Sequence, residues 1–256
     1  MSNDGKGVLV TGGMGFIGSA VTRRLARSFK VTVADRLDFG ISPSVQPLVN
    51  SGQIEFIETD LADPSDIHLR IKAGEFFAIV HLAALTHIPL CEKYPDFAYR
   101  STVISALNIA SRLPAPCRFI NFSTSSTYAP EEKKHVEDSS PLKPIDFYGW
   151  TKKHVEELLS YYSEKRELSV INLRLANAGG YGETNPKLIG TILQQIHSHA
   201  DTVELGNLTP KRDFIHIDDI AWVVEQLMDR WPVPKGKLEI INLGTGYEPI
   251  SVQEVF

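Results

Sequence analysis

The 256-residue sequence has only two cysteines, Cys91 and Cys117, and their spacing matches no metal-binding motif. This scarcity excludes a disulfide framework and predicts no metal site, so the reducing cytoplasm is the predicted compartment. No apolar run approaches the ~18 residues that a spanning helix needs. The N-terminal stretch MSNDGKG also lacks the apolar core of a signal peptide. We therefore predict a soluble cytoplasmic protein that makes no contact with a membrane.

Clustered positive charge is absent as well. The formal net charge is -5, and lysine and arginine are interspersed along the chain rather than gathered in a stripe or a tail. Proteins that bind nucleic acid present a basic face to its phosphates. Nucleic acid is therefore not a predicted partner.

Apolar, β-branched runs do recur, and they alternate with longer amphipathic segments. The runs are GVLVT, VTVAD, IEFIETD, AIVHLAA, CRFINFS and VINLRLAN. Strands that are apolar on both faces and alternate with helices are typical of a parallel sheet covered on both sides. We predict a doubly wound α/β fold of the Rossmann type. Asp63 is predicted to open one of its helices, and the S-x-x-E spacing of Ser251 and Glu254 predicts a capping box near the end of the chain.

The first strand leads into a glycine-rich turn, TGGMGFIGSA, in which Gly12, Gly15 and Gly18 form a G-x-x-G-x-x-G pattern. Without Cβ atoms the backbone can turn tightly and approach a pyrophosphate, whose charge the helix N-terminus favours. A glycine-rich turn without a ligand is the alternative. The position of the turn between the first strand and the first helix favours a dinucleotide site.

Asp35 ends the second strand, where a carboxylate can hydrogen-bond the ribose hydroxyls of a dinucleotide. It would repel a 2′-phosphate, so NAD is predicted in preference to NADP, although the neighbouring Arg36 weakens that preference. A plain strand-end cap is the alternative for Asp35. Asp60 and Leu61 close the third strand and are expected at the adenine ring, with a solvated turn as the alternative.

In FYGWTKK, Tyr148 and Lys152 are four residues apart at the start of a helix that runs toward Arg166. This spacing places both side chains on one face. A tyrosine has a pKa of roughly 10, and a nearby cation lowers such a value by ~1–3 units. Lys152 and an oxidised nicotinamide are thus expected to let Tyr148 accept a proton from a substrate hydroxyl. A chance pairing on an exposed helix is the alternative.

The motifs occur in one order: TGGMGFIGS, Asp35, DLAD, HLAA, FSTSSTY, YGWTK, LRLAN and RDFIHIDD. In that order the chain resembles the extended short-chain dehydrogenase/reductase superfamily, in its nucleotide-sugar epimerase and dehydratase branch. The resemblance covers essentially the whole chain. It implies NAD as the cofactor and a nucleotide sugar, such as a UDP- or dTDP-sugar, as the substrate.

The resemblance also implies roles for individual residues. The implied catalytic residues are Thr124, Tyr148 and Lys152, with Ser123 as the competitor of Thr124. The implied cofactor contacts are Gly12, Gly15, Phe16, Ile17, Gly18, Asp35, Asp60, Leu61, Leu82, Ala83, Ala84, Tyr148 and Lys152. The implied substrate contacts are Thr86 and His87 near the sugar, Thr124 at the reacting hydroxyl, and Asn177 and Arg212 at the diphosphate. For Arg212, an ion pair with Asp213 or Asp218 is the alternative.

The sequence texture changes after Leu175, where NAGGYGETNP is rich in Gly, Asn and Pro. We expect residues 1–175 and 213–243 to form the NAD-binding domain. Residues 176–212 and 244–256 would form part of a smaller substrate-binding domain. The chain ends several tens of residues before the family usually does, which suggests either a reduced substrate domain or an incomplete sequence.

Resembling proteins often pair through the helices that correspond to Pro95–Leu113 and Tyr148–Arg166, so a homodimer is expected. The charges of Lys153, Glu156 and Glu157 on the second helix would make that contact partial. Thr102 stands in the first helix where this branch usually has an Asn, which puts one hydrogen bond of the active site in doubt.

FSTSSTY bears on the reaction type. The common 4,6-dehydratases carry Asp and Glu directly after the catalytic Thr, whereas this chain has Ser125 and Ser126. Neutral hydroxyls are poor acids and bases at pH 7, so the sequence favours a nucleotide-sugar 4-epimerase.

Three other readings stay open. The first is a dehydratase of other than the 4,6 type that takes its base from His87, Cys91 or Glu92. The second is a non-catalytic NAD-binding scaffold. The third is an NADP-dependent reductase of a steroid or other small ketone, against which Asp35, Asn177 and Arg212 argue.

Overall fold

The computed structural model describes residues 7–38, 40–131, 133–183, 188–198 and 202–255. The described strands are β1 Gly7–Thr11, β2 Val31–Asp35, β3 Ile54–Glu58, β4 Phe76–His81, β5 Arg118–Thr124, β6 Ser169–Leu175, β7 Asn177–Gly179, β8 Lys211–Arg212, β9 Phe214–His216, β10 Leu238–Leu243 and β11 Ile250–Ser251. The described α-helices are α1 Phe16–Leu25, α2 Gln46–Asn50, α3 Asp66–Lys72, α4 Ile88–Lys93, α5 Pro95–Tyr99, α6 Ser105–Ala110, α7 Phe147–Arg166, α8 Leu188–His197, α9 Ile217–Asp229 and α10 Val252–Val255.

The main sheet has the strand order β3-β2-β1-β4-β5-β6-β10, and all its neighbouring strands are parallel. From β1 the chain first builds outward through β2 and β3, and it then returns to place β4 on the other side of β1. The carboxyl ends of β1 and β4 therefore flank a topological switch point, where open α/β sheets bind their ligands. This arrangement confirms the predicted doubly wound fold.

The two faces of the sheet are buried against different helices. On one face, α1 and α9 pack over residues such as Val10 and Ile120. On the other face, α3, α6 and α7 pack over residues such as Leu9 and Phe119. Alternate residues of each strand thus enter separate cores, which explains why the strands are apolar along their whole length.

Two short sheets lie beyond the main sheet. In one, β7 pairs with β9 in parallel, and in the other, β8 pairs with β11 in an antiparallel arrangement. The β8–β11 pairing links two segments of the predicted smaller domain, whereas the β7–β9 pairing joins that domain to residues assigned to the NAD-binding domain. Parts of the predicted smaller domain (184–187, 199–201 and residue 256) lie outside the described residues. The division into two domains stays a prediction.

The structure corrects one predicted helix boundary and confirms another. α3 begins after Ser65 rather than at Asp63, because Ser65 and His68 form a capping box. At the other boundary, the backbone N–H of Ser251 donates to Glu254 Oε2 at 2.7 Å, and Glu254 N donates back to Ser251 Oγ at 3.2 Å. The predicted capping box therefore opens α10.

The predicted helix over Pro95–Leu113 is observed from Pro95 to Ala110, but it is not α-helical throughout. α5 and α6 are joined by a π-helical turn over Arg100–Ile104. The Ser105 hydroxyl donates to the backbone carbonyl of Ser101 at 2.7 Å and contributes to the hydrogen bonding of this widened turn. Such turns occur mostly as single insertions in α-helices, frequently at functional sites.

No helix in the described parts of the chain combines the length and the apolar character needed to cross a bilayer.

Candidate active site

A cavity of about 310 Å³ lies at the carboxyl ends of the central strands, beside the switch point. Sixteen of the predicted site residues line it together: Gly12, Gly15, Phe16, Ile17, Gly18, Asp35, Asp60, Leu61, Leu82, Ala83, Ala84, Thr86, Thr124, Tyr148, Lys152 and Asn177. His87 and Arg212 do not line this cavity. One cavity therefore connects the glycine-rich turn with the proposed proton-handling groups.

The glycine-rich turn packs too closely for side chains. Gly12 has a φ of +69°, and a Cβ on it would lie 2.7 Å from the backbone nitrogen of Ala83. A Cβ on Gly18 would lie 2.0 Å from the carbonyl oxygen of Gly12. The turn therefore needs glycine at both positions, and it places the N-terminus of α1 at the cavity wall, in the geometry that suits a pyrophosphate.

The carboxylate of Asp35 is fixed by the backbone around it. Its Oδ2 accepts a hydrogen bond from Met14 N at 2.9 Å, and its Oδ1 accepts one from Leu37 N at 2.9 Å. An ionised carboxylate has about four acceptor sites, so each oxygen retains capacity for a ribose hydroxyl. Asp35 thus caps the local turn and also fits the ribose of a dinucleotide.

Thr124, Tyr148 and Lys152 converge at the end of β5. Asp146 caps α7 by accepting a hydrogen bond from Gly149 N at 2.7 Å, which fixes the first turn that carries Tyr148. The side chain of Thr124 interacts with the Tyr148 hydroxyl in the direction that lowers the pKa of Tyr148. Lys152 is buried, and its Nζ donates to the carbonyl oxygen of Phe122 at 2.7 Å. The three groups therefore surround one place at which a substrate hydroxyl could lie.

The pKa of Tyr148 differs from the sequence expectation in these surroundings. Burial raises the pKa of Tyr148 to about 12, against the lowering effect of its interaction with Thr124. Burial also lowers the pKa of Lys152 to about 8. The protein's own groups therefore do not lower the pKa of Tyr148 as the sequence predicted, because the effect of desolvation outweighs that of the interaction with Thr124.

Ser123, the competitor of Thr124, has a different partner. Its hydroxyl donates to Glu156, a carboxylate on α7 that is only 6% exposed. Arg174 of β6 donates to the same carboxylate through Nη2 at 2.7 Å and is itself 2% exposed. The engagement of Ser123 in this buried group favours Thr124 for the role at the substrate.

This buried group corrects the sequence interpretation of Glu156 as a surface charge on the dimer helix. Glu156 points into the protein, where Arg174 neutralises it. Two signals in the sequence could have revealed the pair. Glu156 continues the four-residue spacing of Tyr148 and Lys152, and Arg174 is a lone charge within an apolar strand, where charges are paired when buried.

The π-helical turn contributes to the cavity from the opposite side. Ser101 and Ser105 both line the cavity, and the sequence analysis identified neither of them. Thr102, which stands where the family usually has Asn, is 1% exposed, and its hydroxyl has no hydrogen-bond partner among the described residues. The Thr102 side chain therefore supplies no hydrogen bond to the site in this structure.

A second cavity, of about 300 Å³, adjoins the first. Asn177 and Ala178 line both cavities, and Arg212 lines only the second. Asp213, one alternative partner for Arg212, instead accepts a hydrogen bond from the Thr245 hydroxyl at 2.6 Å. The exposed side chain of Arg212 therefore borders a space that an extended substrate could enter from the catalytic cavity.

The three alternative bases named for an elimination reaction have other surroundings. Cys91 is buried, and burial raises the pKa of its thiol to about 11. Glu92 Oε1 accepts a hydrogen bond from Phe147 N at 2.7 Å and so helps to cap α7. His87 precedes α4, and its Nδ1 is buried without a hydrogen-bond partner among the described residues.

His81, which ends β4 below the cavity, was not identified as functional from the sequence. Its Nδ1 shares a hydrogen bond with Thr11 Oγ1 at 2.8 Å, and Thr11 Oγ1 also accepts from Ala83 N at 3.3 Å. The side chain is 1% exposed. Burial, with the nearby charge of Lys152, lowers the pKa of His81 to about 3.

This depressed pKa predicts a loss of stability in acid. The unfolded chain binds a proton at His81 near pH 6.5, whereas the folded chain resists protonation down to about pH 3. The contribution of neutral His81 to the stability of the folded protein is therefore present above pH 6.5. It is lost as the pH falls from 6.5 toward 3. By pH 5 it should lower the free energy of unfolding by about 2 kcal/mol relative to pH 7.

Urea unfolding at pH 7 and pH 5 measures this effect. In His81→Gln the difference between the two pH values should shrink by about that amount, since Gln carries no titratable group. His68, whose pKa burial also lowers, is unchanged in the variant and serves as the common background. An equal pH difference in both proteins would contradict the prediction.

Comparison with known proteins shows which family the chain resembles. The model of the NAD dependent epimerase/dehydratase family matches residues 8–244. A probable UDP-arabinose 4-epimerase 1 of Oryza sativa subsp. japonica is 29% identical over 269 residues, which cover 93% of this chain and 63% of the rice protein. A dTDP-D-glucose 4,6-dehydratase of Mus musculus is 28% identical over 255 residues, covering 97% of this chain and 70% of the mouse protein.

A solved structure shows the same similarity in three dimensions. The UDP-glucose 4-epimerase from Brucella ovis in complex with NAD has a TM-score of 0.83 and 26% sequence identity, covering 98% of this chain and 80% of that protein. The chain thus spans less than two thirds of the rice protein and about four fifths of the Brucella enzyme. The family match extends over nearly all of the described fold, from β1 to the end of β10. This chain belongs to the NAD dependent epimerase/dehydratase family.

Proposed function

We propose that this chain binds NAD and epimerises a nucleotide sugar, most simply at C4, through transient oxidation of the sugar. The main support for the proposal is that Thr124, Tyr148 and Lys152 line the same cavity as the glycine-rich turn. Relatives described as UDP-arabinose 4-epimerase and dTDP-D-glucose 4,6-dehydratase support a UDP- or dTDP-sugar as the substrate.

Each group has a separate role in this proposal. NAD, when bound, would accept hydride from the sugar carbon and supply it again to the opposite face of that carbon. Tyr148 removes the proton of the sugar hydroxyl and returns it afterwards, and Thr124 shares a hydrogen bond with the same oxygen. Lys152, one helical turn from Tyr148, supplies the positive charge that favours the tyrosinate, in concert with the oxidised nicotinamide.

The surroundings of the site favour epimerisation over elimination. Removal of water from the sugar needs an additional acid and base, and Ser125 and Ser126, which line the cavity, are neutral. Cys91 holds its proton at neutral pH, and Glu92 caps α7. His87 does not line the cavity. The candidates for the extra proton transfer are therefore occupied, neutral or outside the cavity.

Incubation of the chain and NAD with a panel of UDP-, dTDP- and GDP-sugars tests the reaction, with products identified by NMR. We expect inversion at C4 without incorporation of solvent deuterium at C5. Loss of water, or deuterium at C5, would contradict the 4-epimerase and favour a dehydratase. Binding of NAD without any turnover would instead indicate the scaffold reading.

Arg212 is expected to hold the diphosphate of the substrate, since a guanidinium forms strong paired hydrogen bonds to phosphate. Arg212→Leu should raise KM for the nucleotide sugar about tenfold or more, the cost of one charged hydrogen bond, with kcat changed less. Lys211→Leu is the matched control, because it removes a neighbouring exposed charge of the same strand. An equal effect of both variants on KM would show only a general loss of positive potential.

We also propose a homodimer through α5 and α7. The exposed rings of Tyr99 and Trp150 lie 6.2 Å apart across these two helices, and Phe147 stacks on Trp150 at 5.3 Å. An exposed aromatic surface is typical of protein interfaces. The burial of Glu156 also removes one of the charges that made the predicted contact partial.

A further inference from the structure

Arg36 follows Asp35 directly and lines the cavity at its cofactor end. Its guanidinium is held from several directions. Nε donates to Asp38 Oδ1 at 2.9 Å, and Nη2 donates to the other oxygen of the same carboxylate. Nη1 lies 3.4 Å from Asp60 Oδ2. A planar guanidinium that is bound in this bidentate way has a fixed orientation.

Two further contacts complete the arrangement. Arg36 Nη1 donates to Ser101 Oγ at 3.0 Å, and the guanidinium carbon lies 4.6 Å from the centre of the Phe97 ring. The contacts thus join the loop after β2 to the segment that follows β3 and to the helix that contains the π-helical turn. The Arg36 side chain is 27% exposed, so solvent only partly screens these charges.

The backbone between Arg36 and Asp38 is unusual. Leu37 has a φ of +62°, a left-handed conformation that costs a residue with a Cβ roughly 1–2 kcal/mol. This conformation turns the chain back, and the resulting turn is closed by Gly40 N, which donates to Leu37 O at 2.9 Å. The Asp38 carboxylate thereby reaches the guanidinium two residues before it.

An arginine at this place would ordinarily favour the other dinucleotide. In Rossmann folds an Arg near the end of the second strand accommodates the 2′-phosphate of NADP, whereas a carboxylate there binds the ribose hydroxyls of NAD. This chain has both residue types side by side. If the Arg36 guanidinium beside it had no partner, Asp35 alone would not determine whether NAD or NADP binds.

We propose that Asp38 is a specificity-determining residue, which excludes NADP by holding the Arg36 guanidinium and neutralising it. The inference rests on the proposed binding of NAD and adds to it the reason why Arg36 does not attract a 2′-phosphate. Asp60 and Ser101 assist by holding Nη1 of the same guanidinium.

The dissociation constants of NAD and NADP, measured by isothermal titration calorimetry, test the proposal without any turnover. Asp38→Asn removes the carboxylate that holds the Arg36 guanidinium, so it should strengthen NADP binding relative to NAD by about two- to fivefold, the size expected of one partly exposed charge pair. Asp229→Asn, at the exposed end of α9, removes the same charge far from the cavity and should leave the ratio unchanged.

The double variant Asp38→Asn with Arg36→Leu separates two explanations. If Asp38 acts by holding Arg36, the gain in NADP affinity disappears in the double variant. If the gain persists there, Asp38 acts only by repelling the phosphate, and the proposal is overturned. An unchanged ratio in the single variant also overturns it. Failure of the unaltered chain to bind NAD would overturn the proposed function itself, which is a separate result.

Discussion

Replacement of Tyr148 by Phe is expected to lower kcat for the nucleotide sugar by about 100- to 10,000-fold, the usual contribution of a positioned acid or base. The variant keeps the ring and loses only the hydroxyl that interacts with Thr124. NAD should bind within a few-fold of its original affinity, because the glycine-rich turn and Asp35 are untouched. Steady-state kinetics with NMR detection and calorimetry measure the two quantities.

Tyr161→Phe provides the control for this experiment. Tyr161 lies on the same helix and is 60% exposed, so loss of its hydroxyl should leave kcat unchanged. A Tyr148→Phe protein that retained full turnover would move the catalytic role to another group. Because the folded protein alone gives Tyr148 a pKa of about 12, the pH at which kcat rises would also report how far bound NAD lowers that value.

Replacement of Arg174 by Leu is expected to lower the free energy of unfolding by about 3–5 kcal/mol, because it leaves the carboxylate of Glu156 buried without its partner. Arg174 supplies two of its nitrogens to that carboxylate and a third to the Tyr128 hydroxyl at 2.8 Å. Urea unfolding at pH 7 measures the loss. This would be the largest single effect on stability among the variants considered.

Two further variants show whether the loss comes from an uncompensated charge. Lys153→Met breaks an exposed pair with Glu157 on the same helix and should cost less than about 1 kcal/mol. The double variant Arg174→Leu with Glu156→Leu removes both buried charges and should recover a large part of the stability. If the double variant were less stable than Arg174→Leu alone, packing rather than charge would explain the effect.

The sheet and the convergence of the site could be predicted from the sequence because both depend on local patterns. Apolar runs on both faces indicate buried parallel strands, and parallel strands gather their carboxyl ends at one edge. Thr124 at the end of β5 and Asp35 at the end of β2 therefore had to lie near the glycine-rich turn. The spacing of Tyr148 and Lys152 places both on one face of α7, and in the structure both line the cavity.

Other features depend on packing that no local pattern reveals. The face of α7 that is buried includes Glu156, and only the position of Arg174 on the neighbouring β6 makes that burial tolerable. The contact of Asp38 with Arg36 depends on the left-handed conformation of Leu37, which sequence patterns do not indicate for a leucine. The raised pKa of Tyr148 likewise follows from burial in the assembled site.

The π-helical turn over Arg100–Ile104 sets the rotational phase of everything that precedes it on the helix. Such a turn accommodates one residue more than a regular α-helix would. If the same residues formed a regular α-helix with none deleted, α5 would be rotated relative to α6 by about 100°, since an α-helix has 3.6 residues per turn. Phe97 would leave Arg36, and Tyr99 would leave Trp150, in the same rotation. The π-helical turn therefore determines the orientation of α5 both at the cofactor end of the cavity and at the proposed dimer surface.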